Sequence, residues 1–319
     1  MLMTGNLLNT RMMNRQSMEN TDTFHILALD GGGTRGIYTA QLLAKIEQAI
    51  GTSIKTCFDL IVGTSTGAII AGAAVSDIPM TDIVELFETE TPHIFRRRWY
   101  RIPLFLSKYP SEQLAQVIAK HIPATPLGEI TTPLMITSSE IAKSEVHIFR
   151  SNYGSHDSES ASINKDVCLR DAILASCAAP TFFAPKSVDN LLLADGCLWA
   201  NNPSTIAATE ALSVFGKEAR EIRMLSIGTG HSTNMYRQRR GWGFITGWGG
   251  AKLTSYVMTL QAQASAHTAK LLLKGNYLRI NPEIDRWEID NLTQLDKLKS
   301  LAEGDFEKYA AEIRTFIPT

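Results

Sequence analysis

Cysteine is scarce in this sequence of 319 residues, which contains 4 cysteines and no CxxC pair. Three of them, Cys57, Cys177 and Cys197, lie in apolar stretches, where a small buried thiol is the expected form. The scarcity and the spacing argue against a disulfide-rich or zinc-stabilised fold. We therefore expect a protein of the reducing cytoplasm.

An excess of one charge is also absent, since 31 Lys and Arg side chains oppose 32 Asp and Glu side chains. Proteins that bind nucleic-acid polymers usually carry a basic excess, so we expect no partner of that class. Long apolar runs are missing as well: the most apolar stretch, residues 61–75, is too short to span a bilayer. Residues 1–22 lack the apolar core of a signal peptide and are expected to form a flexible arm.

Short apolar runs alternate along the chain with stretches of helical spacing. Residues 24–29 form an apolar run that stops at Asp30 and three glycines, as a buried strand does. Further strands are predicted at residues 58–62, 134–138, 146–149, 191–194 and 224–227, and helices at 42–50, 68–75, 169–178, 253–271 and from 295 onwards with a break near Gly304. This alternation predicts an α/β fold whose central, mostly parallel sheet is flanked by helices. No linker divides the chain, so one domain over residues 23–319 is expected.

One predicted helix, at residues 253–271, carries an apolar stripe. Its members are Leu253, Tyr256, Val257, Leu260, Ala264, His267 and Leu271, which share one helical face. A histidine on such a stripe is usually packed into the core, and we expect this of His267.

The segment Gly63-Thr64-Ser65-Thr66-Gly67 connects a predicted strand to a predicted helix. A sharp turn of this kind lifts the middle residue above the sheet edge, and flanking glycines provide the room that the turn needs. Ser65 then lies at a helix N-terminus, where partial positive charge stabilises a developing anion. The alternative is a tight turn in which Ser65 only caps the helix. The strong strand before the turn and the small residues after it favour a catalytic nucleophile.

A glycine-rich loop follows the first predicted strand. Its residues are Gly31, Gly32, Gly33, Thr34, Arg35 and Gly36. One interpretation is an oxyanion hole, in which N–H groups near Gly32 and Gly33 hold the charge of a tetrahedral intermediate. A second is a nucleotide-binding module that uses the loop as a GxGxxG motif, although Asp30 then stands beside the pyrophosphate. A third is a purely structural turn. Arg35 would steady the loop or attract an anionic head group.

Asp195 ends another apolar run and is followed by Gly196. A carboxylate in this position lies at the edge of the sheet where ligands collect, and partial burial would raise its pKa towards the range of a general base. An ordinary Asx turn is the alternative. A serine, a carboxylate and an anion-binding loop at three strand ends together supply the groups that acyl transfer requires.

A histidine-dependent esterase is a further alternative. A Ser–Asp–His triad in the chain order of α/β-hydrolases would need a histidine after Asp195, which leaves His231 and His267. His231 follows the strand-end segment LSIGTG and satisfies this order.

Two basic-aromatic patches remain, at residues 95–101 and 236–244. Arginine beside tryptophan and tyrosine suits a membrane interface, binding of a nucleotide by stacking, or solvated loops whose rings plug the core. The sequence does not choose among these roles.

The motifs DGGGTRG, GTSTG and DGCLWANNP, in this order, closely resemble the three sequence blocks of patatin-like phospholipases. The segments ASCAAPTFF and LSIGTG are similar to further landmarks of that family, and the resemblance covers roughly residues 24–280. It implies a three-layer patatin-like fold and a Ser–Asp dyad, with Ser65 as nucleophile and Asp195 as base. The loop Gly31–Gly36 would form the oxyanion hole, with no metal or organic cofactor. The third block departs from the family pattern at Cys197, beside the dyad.

Within the family, the short single-domain layout is similar to bacterial anti-phage phospholipases that cyclic dinucleotides activate. This resemblance implies a cyclic dinucleotide activator, a membrane phospholipid substrate at the bilayer surface, and a cytoplasmic enzyme that is peripheral at the inner membrane when active. No residue of the sequence can be matched to an activator site.

Overall fold

The computed structural model describes residues 23–96, 106–153, 165–232, 236, 238, 241–243, 246–249, 251–284 and 289–318. The predicted arm at residues 1–22 lies outside these ranges, as do residues 97–101 of the first basic-aromatic patch and Arg237, Arg239, Arg240 and Phe244 of the second.

One sheet contains the strands of the described chain. They are β1 (Phe24–Leu29), β2 (Leu60–Thr64), β3 (Leu134–Glu140), β4 (Glu145–Arg150), β5 (Lys186–Val188), β6 (Leu191–Asp195), β7 (Ile222–Ile227) and β8 (Tyr277–Ile280). Their order is β5-β6-β3-β2-β1-β7-β8, and β4 pairs with β3 outside this path. Strands β3, β2, β1, β7 and β8 are parallel, whereas β4 and β6 run antiparallel to β3.

Helices cover both faces of this sheet. They are α1 (Gly36–Ile50), α2 (Thr66–Val75), α3 (Met80–Ile94), α4 (Ser111–His121), α5 (Leu169–Ser176), α6 (Cys197–Ala200), α7 (Ser204–Ser213), α8 (Ala251–Leu273) and α9 (Leu295–Thr315). Helices α1 to α5 and α9 pack on one face, and α7 with the end of α8 packs on the other. All six residues of β1 are buried, as expected for a parallel strand covered on both sides. The predicted α/β fold with a mostly parallel, helix-flanked sheet is confirmed.

The predicted break near Gly304 is wrong, because α9 continues through this residue. One glycine inside a helix costs only about 1 kcal/mol relative to alanine. Leu298 and Ala302 on the preceding turns are buried, and Asp305 accepts a hydrogen bond of 2.6 Å from the Tyr38 hydroxyl. These contacts hold the helix across the glycine.

The expected burial of His267 is also wrong, since the stripe that it shares on α8 faces outwards. Val257, Leu260 and Leu271 are 53%, 45% and 64% exposed, and His267 is exposed. The opposite face of α8 packs on the protein, where Ser265 is hydrogen-bonded to Thr205 at 3.1 Å. Helical spacing identifies which residues share a face, but it does not determine which of two faces the core takes.

None of the described helices combines the length and the apolar character needed to cross a bilayer.

Candidate functional site

Ser65 occupies the turn between β2 and α2 in a strained backbone conformation. Its φ and ψ angles are 54° and −121°, a combination that L-amino acids rarely adopt. The turn is tight, because a Cβ atom at Gly67 would overlap the carbonyl oxygen of Leu29. Strain of this kind concentrates at functional sites, where the surrounding structure holds it.

Strand β3 brings Ser65 and Asp195 together. Thr64 pairs with Thr137 across β2 and β3, and the next residue of β3, Ser138, pairs with Asp195 at the end of β6. The hydroxyl oxygens of Thr64 and Thr137 lie 2.7 Å apart, which ties the two strand ends together. Two consecutive residues of β3 therefore hold the nucleophile turn and the carboxylate side by side.

Asp195 is 1% exposed, and its two carboxylate oxygens differ. Oδ1 accepts a 2.8 Å hydrogen bond from the Cys197 amide, whereas buried Oδ2 has no hydrogen-bond partner among the described residues. Burial raises the pKa of Asp195 to about 6, and interaction with the Ser65 hydroxyl opposes the rise. The Ser65 hydroxyl is therefore close enough to influence the Asp195 carboxylate, although the two side chains form no hydrogen bond of normal geometry.

The glycine loop lies against Ser65 and has two amides available. A Cβ atom at Gly31 would stand 3.2 Å from Cβ of Ser65. Other loop amides donate to carbonyl oxygens: Gly31 to Asn201, Thr34 to Ile289, Arg35 to Gly32, and Gly36 to Gly33. In the part of the chain that the structure describes, the amides of Gly32 and Gly33 have no such acceptor. The structure thus places the free donors of the predicted oxyanion loop at Gly32 and Gly33.

The same contacts disfavour the nucleotide-binding interpretation of the loop. A Cβ atom at Gly33 would overlap the carbonyl oxygen of Ile289, so the protein itself occupies the space beside the loop. Asp30, which is 3% exposed, accepts a 2.7 Å hydrogen bond from Nη1 of Arg279. This buried pair anchors the start of the loop next to the position that a pyrophosphate would need.

Arg35 is a positive charge in the cavity wall. Its Nε donates to the carbonyl oxygen of Gly32 at 3.2 Å, so it steadies the loop. Burial lowers the pKa of Arg35 to about 10, which leaves the guanidinium charged at neutral pH.

The nucleophile turn is contacted by two residues for which no catalytic role was predicted. The Ser65 amide donates a 2.8 Å hydrogen bond to Oγ of Ser176, which is fully buried at the end of α5. The next residue, Cys177, interacts through its thiol with the Ser65 hydroxyl, and burial raises the pKa of that thiol well above its usual value. Both lie in the segment ASCAAPTFF, but nothing in that pattern indicates which side chain reaches position 65.

Neither histidine of the predicted triad contacts Asp195. His231 lines the cavity, and its Nδ1 lies 3.4 Å from Nδ2 of Asn281. His267 is exposed on α8 and lies outside the cavity lining. The triad interpretation therefore lacks its base.

Ser65 and Asp195 open into a cavity of about 1180 Å³. Its apolar wall comes from α3 and α4 and includes Leu86, Phe87, Ile94, Leu114, Val117 and Ile118. Its polar wall lies on the side of the glycine loop and includes Arg35, Thr229, His231, Arg279 and Asn281. Ser65 and Asp195 line the same cavity as an apolar surface suited to an acyl chain and a polar surface suited to an anionic group.

Comparison with known proteins connects this site to one enzyme family. The family model described as patatin-like phospholipase matches residues 27–208. A cGAMP-activated phospholipase of Pseudomonas aeruginosa is 28% identical over 88% of this chain and 85% of its own length. A cUMP-AMP-activated phospholipase of Escherichia coli is 27% identical over 93% of this chain and 95% of its own. A cGAMP-activated phospholipase of Escherichia coli is 30% identical over 78% of this chain and 74% of its own.

Proposed function

Since the chain belongs to the patatin-like phospholipase family, we propose that it hydrolyses acyl esters of membrane phospholipids through Ser65 and Asp195. The observation that carries this proposal is Asp195 beside the strained Ser65. Its buried Oδ2 has no hydrogen-bond partner among the described residues, and its pKa is raised to about 6. A carboxylate with this pKa is ionised at neutral pH and is still basic enough to accept the hydroxyl proton.

The reaction has two steps. Ser65 attacks the ester carbonyl while Asp195 accepts its proton, and the amides of Gly32 and Gly33 stabilise the oxyanion. The proton passes to the leaving alcohol when the tetrahedral intermediate collapses to an acyl-enzyme. Water then attacks the acyl-enzyme with Asp195 again as base, the Ser65 oxygen leaves and takes this proton back from Asp195, and the fatty acid is released.

The cavity chemistry supports a phospholipid substrate. The apolar wall accommodates an acyl chain, and the charge of Arg35 beside the glycine loop favours an anionic head group. The enzyme would act at the cytoplasmic surface of the inner membrane, where such lipids are available.

The dyad is tested by purified Ser65→Ala, Asp195→Ala and the double variant, assayed for fatty-acid release from phospholipid vesicles. Each single change should reduce kcat by at least about 10³-fold, and the double change should add little, because the two groups act as one unit. His231→Ala and His267→Ala serve as controls and should retain most activity. Loss of activity in either folded histidine variant, or additive losses in the dyad variants, would contradict the mechanism.

We further propose that a cyclic dinucleotide activates the enzyme, as an effector of anti-phage defence. The support is the similarity over most of the chain to phospholipases named for activation by cGAMP and by cUMP-AMP. Fatty-acid release should rise at least about tenfold with one of these two compounds and remain basal with its linear counterpart, a change of about 1.4 kcal/mol. Equal, high activity with and without both compounds would contradict activation but leave the dyad intact.

A further inference from the structure

The outward stripe of α8 is exposed from Val257 to Leu271, whereas its first two members, Leu253 and Tyr256, are half-buried, with the Tyr256 ring centroid 5.3 Å from that of Tyr236. Val257, Leu260 and Leu271 are each close to half exposed or more, and Ala264 and His267 are exposed between them. A solvated helix normally turns polar residues to this side and apolar residues to the core. An apolar stripe on the outer side therefore indicates an interaction surface.

The spacing of the stripe fits a second helix better than a membrane. Val257, Leu260, Ala264, His267 and Leu271 follow one another at alternating steps of three and four residues, the pattern of a helix–helix seam. Three exposed positions beside the seam are polar: Gln263, Thr268 and Lys270. A helix adsorbed on a bilayer needs a broader apolar face than this narrow strip.

The stripe is self-complementary about Ala264. In an antiparallel pair centred on this residue, Val257 of each copy faces Leu271 of the other, and the small Ala264 side chains permit close approach of the helices. A parallel pair would instead place the two Lys270 charges side by side. The antiparallel pair separates them by roughly 18 Å of helix rise, beyond the range of screened repulsion.

We propose that this face of α8 is the interface of a symmetric homodimer, in which two copies of α8 pack antiparallel about Ala264. The seam from Val257 to Leu271 is about 21 Å long, so it buries less than the roughly 1,200 Å² typical of lasting complexes. The expected association is therefore weak, with a Kd in the micromolar range.

The interface is linked to the active site through the inner face of the same helix. Oε1 of Gln261 accepts a 3.0 Å hydrogen bond from the Asn201 amide, and the carbonyl oxygen of Ala262 accepts one of 3.1 Å from the Asn202 side chain. Both asparagines belong to the segment that follows Asp195, and Ala262 lines the cavity. Dimerisation would brace this wall of the cavity.

The oligomeric state of the full chain tests the proposal, and Val257→Arg is the informative variant. Sedimentation velocity from about 1 to 100 µM should show a monomer–dimer equilibrium for the wild type that Val257→Arg weakens at least about tenfold. Val146→Arg is the matched control, because Val146 is 60% exposed on β4 against 53% for Val257, and it should leave the equilibrium unchanged. A wild type that stays monomeric at about 100 µM overturns the proposal.

The antiparallel arrangement is tested by cross-linking. Ala264→Cys lies on the two-fold axis and should form a disulfide between copies on mild oxidation, whereas Val146→Cys should not. Equal cross-linking of both variants, or a dimer unaffected by Val257→Arg, overturns the arrangement. Flotation with anionic phospholipid vesicles tests whether this face of α8 binds a membrane instead of a second copy. A monomer whose vesicle binding requires Val257 would assign the face to the membrane and overturn the dimer.

Discussion

At the scale of single residues, the environment of Asp195 links catalysis to stability. Folding moves this carboxyl group from water to a site where it is 1% exposed and where one oxygen finds no hydrogen-bond partner in the described part of the chain, and this burial raises its pKa to about 6. The raised pKa creates an effective base. It also means that the ionised group destabilises the folded protein.

Asp195→Asn should therefore abolish activity and stabilise the protein at alkaline pH. The folded-state pKa of about 6 lies above the reference value of 3.8, so the contribution of Asp195 to stability is present at low pH and is lost as pH rises through 6. Between pH 5 and pH 8 the wild type should lose roughly 1.4 kcal/mol of unfolding free energy relative to the variant. Urea unfolding of both proteins at the two pH values measures this difference, and parallel pH dependences would refute the raised pKa. For the wild type, kcat/KM should fall below pH 6.

Ser176 acts on the nucleophile through the backbone, so we expect it to be a positioning residue. Ser176→Ala removes the acceptor of the Ser65 amide and should lower kcat about tenfold with little change in KM. Ser151→Ala is the control, since Oγ of Ser151 is also fully buried and accepts a 2.9 Å hydrogen bond from the Leu134 amide, away from the cavity. Both variants should lose a similar amount of stability, and only the first should lose activity. A thermal shift and a kcat measurement on each separate the two effects.

At the scale of elements, the glycine loop depends on the segment that packs against it. Gly33 has a φ of 60°, and a Cβ atom there would overlap the carbonyl oxygen of Ile289, whereas Gly51, after the end of α1, has a φ of 71° and open space around it. Gly33→Ala should shift the loop and reduce kcat at least about 100-fold, the effect of losing one oxyanion donor. Gly51→Ala should cost only about 1 kcal/mol of stability from the left-handed backbone and leave kcat unchanged. Similar kcat values for the two variants would show that the loop tolerates the shift.

The elements themselves were largely predictable, because strands and helices have local signals. The apolar run at 24–29 and the end of the first predicted helix at residue 50 both correspond to the observed elements, and the next residue, Gly51, has the left-handed conformation of a helix terminator. The face that α8 buries was not predictable, since Ser265 and Gln261 on the inner side are held by hydrogen bonds to α7 and to Asn201. Apolar spacing alone pointed to the opposite face.

At the scale of the whole molecule, the site depends on pairing between distant strands. Local turn chemistry indicated Ser65 and Asp195 separately, but their proximity follows from the positions of Thr137 and Ser138 on β3. The sequence has no signal for that register, nor for Arg279 reaching Asp30 from β8. The family resemblance implied that Ser65 and Asp195 meet, whereas nothing in the sequence analysis anticipated the contact between Arg279 and Asp30.

The cavity is lined by several helices and loops, and its apolar wall predicts selectivity for the acyl chain. Val117 on α4 is 6% exposed and lines the cavity, while Val84 on α3 is 8% exposed and lies outside it. Val117→Phe should lower kcat/KM for a long-chain phospholipid about tenfold more than for a short-chain soluble ester, because the ring fills space that the chain needs.

Val84→Phe is the matched control for that substitution, since overpacking either position costs about 1–3 kcal/mol of stability. It should leave the ratio of kcat/KM for the long-chain phospholipid to kcat/KM for the short-chain ester unchanged. A changed ratio in Val117→Phe would then result from the altered cavity and not from general strain. Equal losses on both esters in Val117→Phe would place the acyl chain elsewhere. Hydrolysis of the short-chain ester still requires Ser65 and Asp195. That outcome would therefore change the inferred position of the acyl chain in the cavity and leave the assignment of the dyad unchanged.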